Sequence, residues 1–176
     1  MQLNASGYSR PVQHSPVSGE AEAIIASTCP GAVVAPWDQT ANPHPVWGPL
    51  RRVATGSAVA EPVRFEGSSG GALSALLIQA LETGTVDRVV HVVADPNDPI
   101  GNLISCSRTP EEVLAGAGSR YTASSPLIDI DQILAEGGRL AFVGKPCDVS
   151  ALRRLAEVDP RVDRHVPLMF SFFCGG

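Results

Sequence analysis

The stretch that decides the fold is ALSALLIQALETGTVDRVVHVVA, residues 72–94. From Leu73 onward, leucine and alanine recur at i, i+3, i+4, i+7 and i+8. This single apolar face predicts a helix over residues 72–83, which Gly84 ends. Residues 86–94 form a β-branched run, which predicts a buried strand. A helix that leads through a short turn into a buried strand indicates an α/β sheet.

The neighbouring residues extend this alternation of helix and strand. They predict an α/β fold with a mostly parallel or mixed sheet and helices on both faces. Residues 1–50 hold seven of the fifteen prolines, which predicts an extended, loop-rich N-terminal segment ahead of an α/β domain over 51–176. The further elements expected are strands over 52–60, 103–108 (a hairpin return), 139–143 and 166–173, and helices from Thr109, over 127–135 and over 149–157.

The composition excludes several classes of protein. Hydrophobic residues make up 44% of the 176 residues and charged residues 18%, so the chain can build a core and is not disordered. A net charge of -5 and an aromatic content of 5% argue against a nucleic-acid partner. Neither a membrane span nor a signal peptide is visible, and a cytoplasmic location is expected. In that compartment the four cysteines are expected as free thiols or metal ligands rather than disulfides.

A glycine- and serine-rich segment precedes the predicted helix over 72–83. It contains Ser68, Ser69, Gly70 and Gly71. Glycine lets a ligand approach the backbone closely, and the first turn of a helix offers unpaired amides that suit a phosphate. The alternative is structural, with Ser69 as a simple helix cap and the glycines as a turn. The segment is neither a Walker A loop nor a dinucleotide fingerprint.

A second candidate segment contains Ser119, Arg120 and Tyr121, followed by further hydroxyl side chains. A guanidinium beside a phenol suits an anion attached to a planar ring. The alternative is a loop that ends a helix and carries a surface arginine.

Thiols form the third candidate group. Cys147 follows Lys145 at a predicted strand-to-helix junction, a setting that lowers the pKa of a thiol and suits a thiolate nucleophile or an iron ligand. The alternative, a buried small side chain, is the usual role of a lone cysteine. Cys174 ends the last apolar strand and is expected at the same edge of the sheet, which gives half of a soft-metal site. Cys29 reads as a loop thiol and Cys106 as a packing residue within a strand. The histidines show no spacing typical of a catalytic triad or a zinc site.

At these motifs the sequence resembles the coenzyme F-420 hydrogenase/dehydrogenase beta-subunit family. The resemblance runs from about Gly7 to the last residue, and the order and spacing of its short motifs make it specific. The motifs are Gly7-Tyr8-Ser9-Arg10-Pro11, Cys29-Pro30-Gly31, Trp47-Gly48-Pro49-Leu50, Ser68-Ser69-Gly70-Gly71, Ala117-Gly118-Ser119-Arg120-Tyr121, Val143-Gly144-Lys145-Pro146-Cys147 with Ala151-Leu152-Arg153, and Phe173-Cys174.

The resemblance implies an iron–sulfur flavoprotein with FAD and a 4Fe-4S cluster, in a family that includes 7-hydroxymethyl chlorophyll reductase. By position, Ser68 to Gly71 correspond to the loop beside the flavin phosphates, and Ser119 to Tyr121 to a second flavin-side loop. Cys147 and Cys174 correspond to two of the four cluster ligands. The family's other ligands lie in a Cys-x-x-Cys motif that this sequence does not contain. A reduced flavin also needs nearby positive charge, for which Arg120 and Lys145 are the candidates.

The function expected is that of a flavin-dependent, iron–sulfur-linked oxidoreductase. Its partners are a small-molecule redox substrate and an electron-donor protein or partner subunit, and no catalytic side chain is assigned. Two alternatives stay open. The first is a truncated, non-catalytic fragment or an electron-transfer or scaffold subunit of a larger complex. The second is a thiol enzyme that uses Cys147.

Overall fold

A computed structural model describes residues 1–5, 7–33, 43–46 and 48–174 of the chain. The helices are α1 (Gly19–Thr28), α2 (Glu61–Glu66), α3 (Ala72–Glu82), α4 (Pro110–Ala115), α5 (Ile130–Ala135), α6 (Pro146–Leu155) and α7 (Pro160–His165). The strands are β1 (Gln2–Leu3), β2 (Ser9–Arg10), β3 (Pro43–His44), β4 (Gly48–Pro49), β5 (Arg88–Ala94), β6 (Asn102–Ser107), β7 (Leu140–Gly144) and β8 (Leu168–Ser171).

The main sheet is mixed and has the strand order β6-β5-β7-β8. Strand β6 returns antiparallel to β5, as expected for the hairpin return. Strands β5, β7 and β8 run parallel to one another. The prediction of a mostly parallel or mixed sheet is confirmed. We call the edge at which these three parallel strands end the carboxyl edge.

Helices cover both faces of this sheet, as predicted. The core has two parts, one on each face of the sheet, because side chains of successive residues along β7 point to opposite faces. Leu140 and Phe142 belong to a cluster formed with α5, α6 and α7. Ala141 and Val143 belong to a second cluster, formed with α3 and α4. All five residues of β7 are buried, which is typical of a central strand with both faces covered.

The N-terminal segment differs from the extended chain that its prolines predict. Helix α1 occupies ten of its residues, and the Ser18 hydroxyl caps it by accepting from the amide of Ala21 at 3.2 Å. The reason is local, because the prolines at 16 and 30 flank this stretch and none lies within it. The Arg154 side chain donates to the carbonyl of Ser27 and so ties α1 to α6. Trp47, which belongs to a motif quoted above, lies outside the described residues.

The predicted strand over residues 52–60 is wrong. The backbone is irregular there, and Val53 and Val59 are 81% and 94% exposed. Alternation favours a strand only where one face can pack, and these valines face solvent. A hydrogen bond near the C-terminal end of this segment attaches it to the segment before α3, because the amide of Ala58 donates to the carbonyl of Gly70 at 2.8 Å.

Several boundaries also differ from the predictions. Helix α6 begins at Pro146 rather than Val149, because proline is well suited to the first position of a helix. Helix α5 begins three residues later than expected, and α2 and α7 were not predicted. Cys106 lies in β6 as expected but is exposed, so its interpretation as a packing residue is wrong. Neighbouring atoms nevertheless desolvate its sulfur and raise the pKa of the thiol.

No helix in the described part of the chain combines the length and the apolar character that crossing a bilayer requires.

Candidate functional site

The glycine–serine turn, Ser68–Gly71, joins helix α2 to helix α3. Three successive residues, Ser69, Gly70 and Gly71, have left-handed backbone with φ of 52°, 71° and 68°. Glycine is needed at position 71 for a second reason, since an added Cβ would lie 2.2 Å from the carbonyl oxygen of Val63. Ser69 is not the helix cap that the structural alternative required, because Gly71 occupies the N-cap position of α3. The left-handed backbone of the turn therefore sets the direction in which α3 begins.

A direct hydrogen bond joins the two segments that the sequence singled out. The Ser119 hydroxyl donates to the Ser68 hydroxyl at 2.9 Å, although the two residues are 51 positions apart in the chain. Ser119 belongs to the long loop between α4 and α5, and we call residues 116–126 the bridging loop. Arg120 and Tyr121 follow Ser119 directly and both are exposed, Tyr121 by 94%. The residue that contacts the glycine–serine turn is thus followed directly in the chain by an exposed guanidinium and an exposed phenol ring.

The bridging loop follows the carboxyl edge of the sheet. The Thr122 hydroxyl donates to the carbonyl of Ile100, in the turn between β5 and β6, at 2.8 Å. Two residues further on, Ser124 accepts from the Lys145 ammonium, at 3.2 Å through its hydroxyl and at 3.4 Å through its carbonyl. Since Lys145 directly follows β7, one loop connects the glycine–serine turn with the end of a central strand.

The first residue of the bridging loop packs on a buried histidine. A Cβ added at Gly116 would lie 2.5 Å from Cε1 of His91, so only glycine allows this approach. His91 is 6% exposed, and its Nε2 atom lies 2.7 Å from the hydroxyl of Ser107. Burial lowers the pKa of His91, because the imidazolium loses its hydration there. The buried ring is part of the support beneath the loop.

Lys145 is the N-cap residue of helix α6 and is paired with Asp148. Its ammonium lies 2.8 Å from Asp148 Oδ2, and its backbone amide donates to the same oxygen at 2.9 Å. Gly144 makes room for this contact, since a Cβ there would lie 2.8 Å from the Cβ of Asp148. The sequence analysis assigned the charge of Lys145 to a flavin. In the structure the Lys145 ammonium instead pairs with the Asp148 carboxylate and donates to Ser124.

Cys147 and Cys174 each follow the carboxyl end of a parallel strand by the same number of residues. Parallel pairing sets Gly144 of β7 beside Ser171 of β8, and each cysteine follows its strand by three residues. Both are free and exposed. In the described parts of the chain, no three His, Cys, Asp or Glu side chains form a group able to hold a metal ion, so Cys29 does not complete a site with these two.

Asp148 and His91 are the site residues that the sequence analysis did not single out. Asp148 had a detectable signal, because an acidic residue at the third helical position commonly bonds back to the cap. His91 had none, since its role depends on the strand pairing that brings Ser107 beside it.

Comparison with known proteins identifies the family. Residues 53–130 match the model of the N-terminal part of the coenzyme F420 hydrogenase/dehydrogenase beta subunit. Residues 137–176 match the model of its C terminus. The chain belongs to this family. Both model descriptions name the beta subunit of a coenzyme F420 hydrogenase or dehydrogenase.

Individual relatives agree with this family assignment. The chain is 30% identical over 132 residues to the coenzyme F420 hydrogenase subunit beta of Methanococcus voltae, which covers 73% of this chain and 46% of the relative. It is 37% identical over 88 residues to the chloroplastic 7-hydroxymethyl chlorophyll a reductase of rice, which covers 49% of this chain and 19% of the relative. The chain thus spans less than half the length of these curated members of the beta-subunit family.

A solved structure shares the fold of this beta-subunit family member. A chain of the F420-reducing [NiFe] hydrogenase complex from Methanosarcina barkeri, derivatised with xenon, superposes with a TM-score of 0.61 at 22% identity. The match covers 67% of this chain and 42% of the other.

Proposed function

We propose that this chain provides the FAD-binding part of an iron–sulfur-linked oxidoreductase, which passes electrons between a 4Fe-4S cluster, FAD and a substrate that accepts or donates hydride. The observation that carries the proposal is the hydrogen bond between Ser68 and Ser119, because it joins the two segments expected to flank a flavin. The proposed flavin-binding domain is residues 51–176, with residues 1–50 as a separate N-terminal segment.

The donor set at the glycine–serine turn fits a flavin dinucleotide. Amides at the start of α3 and the hydroxyls of Ser68 and Ser69 suit a pyrophosphate, and its negative charge is favoured at the N-terminus of a helix. Arg120 and Tyr121 are exposed, directly follow Ser119 in the chain, and offer a cation and a flat ring. Bound FAD would supply hydride and single-electron chemistry, while these residues bind and orient it.

The thiol pair fits only part of a cluster. A 4Fe-4S cluster is held by four cysteine thiolates, and the described residues bring two cysteines to the carboxyl edge. The proposal is limited to Cys147 and Cys174 as the two ligands that this chain contributes, and to an electron-donor protein or partner subunit and a small-molecule redox substrate as its partners.

One observation favours a second candidate, an electron-transfer or scaffold subunit that keeps the fold without binding a cofactor of its own. Lys145 is engaged by Asp148 and Ser124, so one of the two cations expected at the flavin is already neutralised. The two candidates differ in whether the isolated chain binds FAD.

A titration with FAD after anaerobic purification tests the proposal. We expect the chain to bind FAD, with quenching of the flavin fluorescence. Arg120→Gln should weaken binding about tenfold, because a hydrogen bond to a charged group contributes roughly 1.5–3 kcal/mol. Arg108→Gln is the matched control, since Arg108 is also exposed but follows β6 at the opposite edge of the sheet. A chain that stays colourless and does not bind added FAD contradicts the proposal and favours the scaffold.

A further inference from the structure

A buried histidine lies beneath the start of the bridging loop, and the proposed roles of the turn, the loop and the thiols leave it unused. The polar or charged side chains buried in the described part of the chain are Arg88, His91 and Ser107. Of these three, the imidazole of His91 is the one that changes its charge near neutral pH, because arginine stays protonated and serine stays uncharged there. A proton on His91 can therefore affect the position of the loop.

The contact between His91 and the loop is made through the backbone of Gly116. A Cβ added at Gly116 would lie 2.5 Å from Cε1 and 3.2 Å from Nδ1 of the ring. The same Cβ would lie 2.8 Å from Cγ1 of Val93, so Gly116 is enclosed by two side chains of β5. The other ring nitrogen, Nε2, lies 2.7 Å from the Ser107 hydroxyl. The ring thus bonds to the sheet through Nε2, while the loop passes next to Cε1 and Nδ1.

The strands around the ring offer no charge that would pair with a protonated His91. Strand β6 offers the hydroxyls of Ser105 and Ser107, and every residue of β7 is apolar. On β5 the charged residue is Arg88, which bonds to Glu136 and points to the opposite face of the sheet, since it lies three positions from His91. Burial is the cause that lowers the pKa of His91, with no charged neighbour contributing in the described residues.

The helices and the loop on this face also keep their charged residues away from the ring. On α4 these are Glu111 and Glu112, in the first turn, whereas Gly116 directly follows the last residue of the helix. On α3 it is Glu82, the exposed last residue, and on the loop it is the exposed Arg120. A protonated ring would therefore be a buried charge without a counter-charge, which is strongly unfavourable.

The bridging loop is the neighbour that can move away from such a charge. The ring is attached to β5, which is paired with a strand on both sides. Residues 118–123 of the loop are exposed, and the hydroxyl bonds of Ser119 to Ser68 and of Thr122 to Ile100 hold them. Local opening occurs where few buried contacts have to break. Water therefore reaches the ring most readily when the start of the loop lifts.

We propose that His91 is a positioning residue that makes the bridging loop, and with it the binding of phosphates at the glycine–serine turn, sensitive to acid. With an uncharged ring, Gly116 packs against it and Ser119 reaches Ser68. With a protonated ring, the start of the loop moves away, the contact of Ser119 with Ser68 is lost, and Arg120 is displaced. The inference rests on the proposed function and adds to it a regulation by pH.

Thermodynamic linkage gives the sign of the effect. A ligand that binds only when the loop is packed competes with the proton at His91. Its affinity should be constant above pH of about 6.5 and should decrease as the pH falls below the lowered pKa of His91, by at most about tenfold per pH unit for one proton. By reciprocity, bound ligand should lower this pKa further. FAD is the probe, because neither its phosphates nor its rings titrate between pH 5 and pH 8.

Titrations of the full chain with FAD from pH 8 to pH 5 test the inference. We expect the parent chain to lose affinity in acid, whereas His91→Gln, which cannot titrate, should keep its pH 8 affinity. His165→Gln is the matched control and should follow the parent chain, since His165 is also partly buried but contacts the carbonyl of Gly138 through Nδ1 at 2.8 Å, ahead of β7. Gly116→Ala should weaken binding at every pH and remove the pH dependence, because its methyl group prevents the loop from packing.

Hydrogen–deuterium exchange of residues 116–126 without FAD gives a readout that does not depend on the proposed function. Relative to an unstructured peptide at the same pH, exchange should accelerate in acid in the parent chain and not in His91→Gln. If FAD does not bind but exchange responds in this way, the proposed flavin role is wrong and the acid response of the loop stands. If FAD binds but the parent chain and His91→Gln share one pH profile in binding and in exchange, the inference is overturned while the proposed function stands.

An NMR titration of the parent chain keeps the inference testable where His91→Gln does not fold. The Cε1 proton of His91 and the amide signals of Gly116 and Ser119 should shift with one common midpoint. Different midpoints for the ring and the loop would overturn the inference.

Discussion

His91 and Gly116 determine how the bridging loop leaves helix α4. The histidine ring lies under the loop and bonds to Ser107 on the neighbouring strand, at 2.7 Å. Gly116 passes over the ring so closely that any side chain would clash with it. These two buried residues thereby set the starting point of the segment that carries Ser119 and Arg120.

The buried histidine predicts a pH dependence of stability. Because burial lowers the pKa of His91, the unfolded chain binds this proton more readily than the folded chain does. The contribution of His91 to the free energy of unfolding is therefore fully present above pH of about 6.5, the ordinary pKa of histidine. This contribution decreases as the pH falls below that value. Urea unfolding at pH 7.5 and pH 5.5 should show a decrease in the free energy of unfolding, by at most about 1.4 kcal/mol per pH unit.

Two variants assign that decrease to a residue. His91→Gln cannot titrate, so it should reduce the difference between the two pH values. His14→Gln, at an exposed position of the N-terminal segment, should leave the difference as in the parent chain. An equal pH dependence in the parent chain and in His91→Gln would contradict the assignment.

At the scale of elements, local signals predicted helix α4 well and failed for residues 52–60. Thr109 accepts from the amide of Glu112 at 3.3 Å, and Glu112 accepts in return from the amide of Arg108 at 2.6 Å. These bonds lie within five residues, so the sequence contains everything they need. A strand needs a partner elsewhere in the chain, and the alternation of residues 52–60 carries no information about whether one exists.

The cap of α4 supplies a quantitative prediction. Thr109→Ala removes the oxygen that accepts from Glu112, so the free energy of unfolding should fall by about 1 kcal/mol. Thr109→Ser keeps an oxygen at the same place and should recover most of this loss. Urea denaturation of the three proteins measures both changes. Equal losses in the two variants would show that the hydroxyl is not the stabilising group.

At the scale of the whole molecule, the sheet brings distant motifs to one edge. The glycine–serine turn reaches it through α3, and the bridging loop extends along it from Ser119 to Ser124. Cys147 and Cys174 arrive there through the parallel pairing of β7 with β8. This convergence follows from topology, since helices connecting parallel strands leave the loops of one edge side by side.

The thiols at this edge predict which cysteines respond to iron. After anaerobic incubation with iron and sulfide, the parent chain should retain more iron than Cys147→Ser/Cys174→Ser, because only this pair follows adjacent parallel strands. Cys29→Ser/Cys106→Ser is the matched control, since all four cysteines are free and exposed. Colorimetric iron analysis of desalted protein gives the comparison. Equal iron in the two double variants would exclude the Cys147–Cys174 pair as ligands.

The sequence alone determined the features that depend on neighbours along the chain. Apolar periodicity identified α3, a β-branched run identified β5, and ordered short motifs identified the family. Only the tertiary structure decided that Ser68 meets Ser119 and that Asp148 neutralises Lys145. The physical reason is the separation along the chain of the residues that interact. A helical face or a cap is fixed by residues a few positions apart, whereas a contact across 51 positions exists only after the sheet has paired and the helices have packed against it.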